Sequence, residues 1–184
     1  AKGGTYDVTK SGSKDTDGNV TRSVDKNATT AAGGTHSVSK DFSKDADGNV
    51  NRDVSRSGTT AKGGTYDINK KYSRDAEGNI NRYVEKDATT AAGGTHHVDK
   101  TWNSNADGSA SREVNRNGTT AAGGTYDVNK NWNRDIDVNV EATVQKDATT
   151  AAGHNLHVNN TCDKNAYGSA YGEVNKNFDG AGGA

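Results

Sequence analysis

AAGGTHSVSKDFSKDADGNVNRDVSRSGTT, residues 31–60, decides the fold, because a similar thirty-residue stretch stands on either side of it. Cutting the chain every thirty residues gives six units without a gap, beginning at Ala1, Ala31, Ala61, Ala91, Ala121 and Ala151. The internal consensus is A-x-G-G-T-Y/H-x-V-x-K-x-Φ-x-K/R-D-x-D-G-N-V-x-R-x-V-x-K/R-x-A/G-T-T, with Φ mostly aromatic. Such self-similarity marks a repeat architecture, in which one unit has too little apolar surface to fold alone and is covered by its neighbours. The chain reads as a single repeat domain, 1–184, with repeats 1–30, 31–60, 61–90, 91–120, 121–150 and 151–184, the last two divergent.

Within a unit, apolar positions alternate with polar ones. One column is Val8, Val38, Ile68, Val98, Val128, Val158; a second is Val24, Val54, Val84, Val114, Val144, Val174; a third is Gly12, Phe42, Tyr72, Trp102, Trp132, Cys162; a fourth is Val20, Val50, Ile80, Ala110, Val140, Ala170. All four have even offsets, the period of two that marks half-buried strands and not the 3.6 of a helix. The odd offsets carry mostly Thr, Ser, Asn and Asp, which makes the other face small and polar. Two strands per unit follow, roughly 5–13 and 19–26 in the first, and the valine and aromatic columns other than Gly12 are the expected stacking core. Lys14, Asp15, Thr16, Asp17 and Gly18 join the two strands, with Gly18 supplying the positive φ of a tight turn. Val138 breaks the series that Gly48, Gly78, Gly108 and Gly168 continue. The second connection, Asn27 to Gly34, crosses the unit boundary, and its paired glycines permit sharp reversal.

The predicted fold class is all-β, a β-solenoid or an amyloid-like array of stacked β-arches or hairpins. In a solenoid each unit is one rung and six rungs make a rod about 29 Å tall; in an antiparallel meander each unit is a hairpin. A hairpin register that sets Val8 opposite Val24 also sets Phe42 opposite Val50 and Lys40 opposite Arg52, a like-charge pair that costs stability unless neutralised or solvated. A longer period is superimposed: Tyr6, Tyr66 and Tyr126 alternate with His36 and His96, and Gly58 and Gly118 precede Thr-Thr in the even units. The unit is then sixty residues, three times, or a closed three-fold fold with two hairpins per sixty residues.

Only 29% of the chain is apolar, well below the roughly 45–50% of globular proteins, so a conventional large core is excluded. With 23 basic against 24 acidic residues, net charge argues for neither nucleic acid nor an anionic membrane. No apolar run is long enough to span a bilayer as a helix. The chain begins at Ala1 and holds no methionine, which points to removal of an initiator with a leader peptide and to a secreted, extracellular or cell-surface location. A single cysteine, Cys162, excludes an internal disulfide framework.

Several features have candidate chemistry. Asp15, Asp17 and Asn19, with Asp45, Asp47, Asn49 and Asp75, Glu77, Asn79, resemble the start of a calcium loop. The twelfth position is Lys26 and not the bidentate glutamate of an EF-hand, which leaves plain turn chemistry or a Ca2+ ion shared between stacked turns. Lys10, Lys40, Lys70, Lys100 and Lys130 with Arg22, Arg52, Arg82 and Arg112 form basic columns beside the aromatics, suited to polysaccharide contact or to snorkelling over a core. Thr-Thr pairs ending at Thr30, Thr60, Thr90, Thr120 and Thr150 raise ice binding as a minor reading. His154 and His157 with Cys162 are of metal-ligating type, whereas Cys162 also fits the aromatic column as a small apolar residue. Nothing resembles a catalytic elbow or phosphate loop, and no enzyme activity is expected. The stacking of short repeats is similar in architecture to the matrix curlin family, whose Gln and Asn ladders and shorter unit are missing from the repeat pattern.

The expected function is an extracellular structural protein, a subunit of a self-assembling β-rich fibre or matrix in adhesion or a biofilm scaffold. Its partner is another copy joined head to tail, and the divergent last repeat is either the joint or a cap. The alternative is a monomeric repeat module binding polysaccharide or calcium.

Overall fold

The computed structural model describes residues 3–180; the outer limits of the first and last repeats, Ala1 and Ala184, lie outside the described residues. Twelve ten-residue strands follow one another: β1 (Thr5–Lys14), β2 (Val20–Thr29), β3 (Thr35–Lys44), β4 (Val50–Thr59), β5 (Thr65–Arg74), β6 (Ile80–Thr89), β7 (Thr95–Ser104), β8 (Ala110–Thr119), β9 (Thr125–Arg134), β10 (Val140–Thr149), β11 (Asn155–Lys164) and β12 (Ala170–Asp179). Each interior strand pairs antiparallel with the strands before and after it, and backbone pairing among the described residues joins only sequence-adjacent strands. The array is all-β, as the repeat pattern predicts, and it takes the hairpin form: one open sheet of a single layer, neither wound into rungs nor closed.

This geometry changes the dimensions expected of a stack. Twelve strands side by side span about 58 Å, twice the six-rung rod, and each strand is about 34 Å long. Having no second layer leaves the surface large. The accessible area is 11863 Å², against about 8,400 Å² for a compact monomer of this size.

The two connections differ in sequence but are one structure. In 15–19, the Asp15 N–H donates to the Asn19 carbonyl at 3.1 Å and the Gly18 N–H to the Asp15 carbonyl at 3.3 Å. In 30–34, the Thr30 N–H donates to the Gly34 carbonyl at 2.8 Å and the Gly33 N–H to the Thr30 carbonyl at 2.9 Å. The first residue of each caps the fifth: Asp15 Oδ1 accepts from the Asn19 N–H at 2.9 Å, and Thr30 Oγ1 from the Gly34 N–H at 3.0 Å. The fourth residue is left-handed in both, with φ of 92° at Gly18 and 89° at Gly33. The backbone therefore repeats every fifteen residues. The second connection is also shorter than the sequence suggests, since 27–29 belong to β2.

Because every loop has five residues, paired positions always sum to an even number, and parity survives every turn. Even-numbered residues share one face from β1 to β12 and odd-numbered residues the other. The register is Val8 opposite Lys26, Lys10 opposite Val24 and Gly12 opposite Arg22, two places in the pairing sum from the Val8–Val24 register considered above. The like-charge conflict disappears: Lys40 lies opposite Val54, and Phe42 opposite Arg52.

Candidate functional surfaces

The valine columns do not stack on themselves. They interleave with cations, so that Val38 sits between Lys26 and Arg56, and Val98 between Lys86 and Arg116. The next row alternates in the opposite phase, with Val54 between Lys40 and Lys70 and Val114 between Lys100 and Lys130. The result is a checkerboard in which no cation has a cation directly opposite, and from β2 to β9 each valine of these rows has a lysine or arginine on both sides. Lys and Arg stems lie along apolar neighbours while their charged heads reach water. That arrangement buries valines in a sheet with no second layer: Val38, Val54, Val98 and Val114 are 3–7% exposed. Of the other expected stacking residues, Val8, Val24, Phe42, Ile68, Tyr72, Val84, Val128, Trp132, Val144 and Val158 are half-buried, whereas Trp102, Cys162 and Val174 are exposed.

The aromatic column follows the same rule. Its row reads Gly12, Arg22, Phe42, Arg52, Tyr72, Arg82, Trp102, Arg112, Trp132, Ala142, Cys162, Gly172 from β1 to β12. Arginines stand between aromatics, and the Arg82 guanidinium lies 5.6 Å from the Tyr72 ring centre and 4.9 Å from that of Trp102. The sequence showed the two columns but not their interdigitation. Around Trp102, Arg112 and Trp132 the face forms an open groove of about 710 Å³.

A further even-face row explains the sixty-residue period. It reads Tyr6, Ala28, His36, Gly58, Tyr66, Ala88, His96, Gly118, Tyr126. Tyr66 reaches over Gly58 to bond Nδ1 of His36, and Tyr126 reaches over Gly118 to His96. A Cβ at Gly58 or Gly118 would overlap the tyrosine ring and hydroxyl. The period is four strands because each contact takes up three, histidine, glycine and tyrosine, and one alanine strand, as at Ala88, separates it from the next.

Charge divides between the faces. Every lysine and arginine in the strands except Lys71 is even-numbered, and every aspartate and glutamate in the chain is odd-numbered. One face is basic and apolar, the other acidic and hydroxylic. Parity was open to inspection in the sequence; it becomes a statement about faces only once each loop is known to preserve it. Among the described residues no lysine or arginine forms an ion pair with a carboxylate; the pairs that do form are histidine to aspartate, His97 to Asp87 at 2.6 Å and Asp99 at 2.8 Å, and His157 to Asp147 at 2.5 Å. Unrelieved positive charge shows at Lys100, whose pKa is depressed by burial and then by Arg116, Lys86, Arg112 and Lys70. The Arg116 Nε is shielded from solvent without a hydrogen-bond partner.

The acidic face carries its own rows. Thr5, Thr29, Thr35, Thr59, Thr65, Thr89, Thr95, Thr119, Thr125 and Thr149 form a line across ten strands, with hydroxyl contacts of 2.9 Å at Thr35–Thr59 and Thr95–Thr119. The first threonine of each Thr-Thr is thus a strand residue; the second, as at Thr30, caps the loop. Asn115, Asn129, Gln145, Asn159 and Asn175 form an amide row, with the Asn129 Nδ2 donating to Asn115 Oδ1 at 2.6 Å. Such a ladder was not visible in the thirty-residue columns, because it joins positions from alternate strands.

The Asp-x-Asp-Gly-Asn loops line one rim. Asp15 accepts from the Asp17 and Asn19 N–H groups and from Asn19 Nδ2, at 3.0, 2.9 and 2.7 Å. Those bonds, that from the Asn19 side chain above all, hold its carboxyl below the usual range, and Asp45 and Asp75 are held likewise by Asn49 and Asn79. Asn19, Asn49 and Asn79 turn their Oδ1 to the N–H of Ala46, Ala76 and Ala106 in the neighbouring loop of the same rim, at 2.8–2.9 Å. Where Ser109 replaces the asparagine, Arg134 bridges instead, donating from Nε and Nη2 to the Gly108 carbonyl at 3.1 and 2.7 Å. Asp17, Asp47 and Glu77 stand at the third position of their loops. No three His, Cys, Asp or Glu among the described residues come together as a metal-ion group. His157 and Cys162 have opposite parity and project from opposite faces, and His154 stacks on Phe178 with ring centres 6.3 Å apart.

Among the described residues no helix is long and apolar enough to cross a membrane. Comparison with protein-family models, with curated proteins and with solved structures finds no match for this chain.

Proposed function

We propose that this protein is an extracellular structural subunit that assembles with further copies into a β-rich ribbon or matrix, as in adhesion or a biofilm scaffold. The observation that carries this reading is the open twelve-stranded sheet with its uniform antiparallel pairing. β1 and β12 each have one strand neighbour, and Thr5 to Val8 of β1 repeat the interior motif. Unpaired edges recruit further strands unless blocked, and the sequence contains no proline to block them. An even number of strands matters here. β12 of one copy and β1 of the next can meet antiparallel, continuing the alternation and keeping the basic face continuous. Such head-to-tail joining does not close and yields a filament.

Electron microscopy of the purified chain over a range of concentrations, with fibre diffraction, tests the reading. The expected result is filaments with a repeat near about 4.8 Å along the axis. Monodisperse particles at every concentration would overturn it.

A further inference from the structure

Among the described residues both broad faces of the sheet lack a partner within the chain, and they are chemically opposite. Lysine and arginine heads on the even face have no carboxylate to pair with, since the strand carboxylates project from the other side. Each row of cations recurs every second strand, roughly 9.6 Å apart. Like charges so arranged repel, and a surface with anions at comparable spacing relieves them. The odd face of the same protein is such a surface: Asp41 and Asp53 lie opposite one another, with Glu85, Asp87, Asp99, Glu113 and Asp127 on the strands beyond.

We infer that copies of this chain stack face to face, the basic face of one seated on the acidic face of the next, with all copies oriented the same way. The inference deepens the self-assembly reading and adds a second direction to it. Strand addition extends the ribbon in its plane, whereas charge pairing layers ribbons about 10 Å apart. Area is sufficient. Each face covers about 58 by 34 Å, more than twice the roughly 800 Å² per partner of a standard stable interface. Partial overlap of two twisted sheets is therefore enough. Opposite faces cannot satisfy one another within a copy, and a two-fold pair would bury one face while leaving the other bare. Only same-direction stacking meets both, and it propagates without closing. An apolar partner is disfavoured by the density of charge on both faces. A soluble polyanion would answer the basic face alone.

The test is association of the full chain at neutral pH as salt rises and the Debye length falls from about 30 Å to about 3 Å. Scattering follows the inter-sheet spacing and sedimentation the particle mass. The expected result is a spacing near about 10 Å at low salt whose association constant drops about tenfold or more at high salt. The 4.8 Å strand repeat should persist, because backbone pairing is not screened in this way. Loss of the strand repeat with retention of salt-sensitive stacking would sink the edge reading alone; filaments that show no salt-sensitive inter-sheet spacing would sink the stacking alone.

Two charge-reversed variants sharpen it, their strand content checked by circular dichroism. One carries Asp41→Lys, Asp53→Lys and Glu113→Lys; the other carries Lys40→Glu, Lys70→Glu and Lys100→Glu. Each should fail to stack with itself, and an equimolar mixture should recover the stacking by alternation. Mixtures no better than either variant alone overturn the inference. So does a wild-type chain that stays unstacked at low salt while binding an acidic polysaccharide such as polygalacturonate through the basic face.

Discussion

Replacing Val138 by glycine should stabilise the protein. Val138 is the one non-glycine among the described residues with a positive φ, 67°. It occupies the fourth position of its loop, where Gly18, Gly48, Gly78, Gly108 and Gly168 have φ of 88–95°. A left-handed conformation costs an L-residue roughly 1–2 kcal/mol, with β-branched side chains at the upper end. Against this, glycine loosens the unfolded chain by about 0.4–1 kcal/mol. Loss of side-chain burial adds little, because Val138 is 59% exposed. The hydrogen bond from its N–H to the Asp135 carbonyl, 3.2 Å, needs no side chain and remains. The net gain is about 1 kcal/mol, or a rise of about 2–4 °C in Tm for a chain of this length. Gly48→Val is the mirror experiment and should lower stability by a similar amount. Thermal and urea melts read the global effect, and hydrogen exchange at residue 138 reads the loop directly, which guards against uneven cooperativity in a repeat array. A neutral or destabilising Val138→Gly would refute the account of what the fourth loop position demands.

Gly58→Ala should cost about 2–3 kcal/mol, from overpacking against the Thr35 carbonyl and Tyr66 and from loss of the Tyr66–His36 hydrogen bond; melts and the His36 ring signals in NMR check it. Arg82→Ala should cost about 1–2 kcal/mol through its two ring contacts and red-shift Trp102 fluorescence, with lysine restoring only part, since it lacks the planar guanidinium. His97 gives a pH dependence. Its pKa is raised above the ordinary 6.5 by the hydrogen bond to Asp87, then by that to Asp99, so the protonated ring favours the folded state. Its contribution is complete below about pH 6.5 and is lost as pH rises through the higher folded value. Melts of wild type against His97→Asn across that range should converge at high pH and separate at low pH.

Much of this was legible without coordinates. The alternation of Val38, Lys40 and Phe42 with Ser37, Ser39 and Asp41 requires a strand with two unlike faces, and Asp47-Gly48 requires a turn. The signal that the Val8–Val24 register was mistaken was also present, in the Lys40–Arg52 clash it created. Less legible was the extent of β2. Asn27, Ala28 and Thr29 look like a small-residue connection, yet they are the last third of a strand, because the loop needs only Thr30 to Gly34 once Thr30 caps it. Hidden in the same way were the amide and threonine rows, which join residues from neighbouring strands that no thirty-residue column places together.

The sequence by itself determined the strand class, the repeat and the two-faced chemistry, because side-chain alternation is a property of a single extended segment and needs no partner. Tertiary structure decided which row meets which. Pairing depends on loop length and on the hydrogen bonds that close the loop, and a shift of one residue in where a strand ends moves every cross-strand neighbour. In this chain that shift separates like-charge pairs such as Lys40 opposite Arg52 from a checkerboard in which cations alternate with valines and cover them.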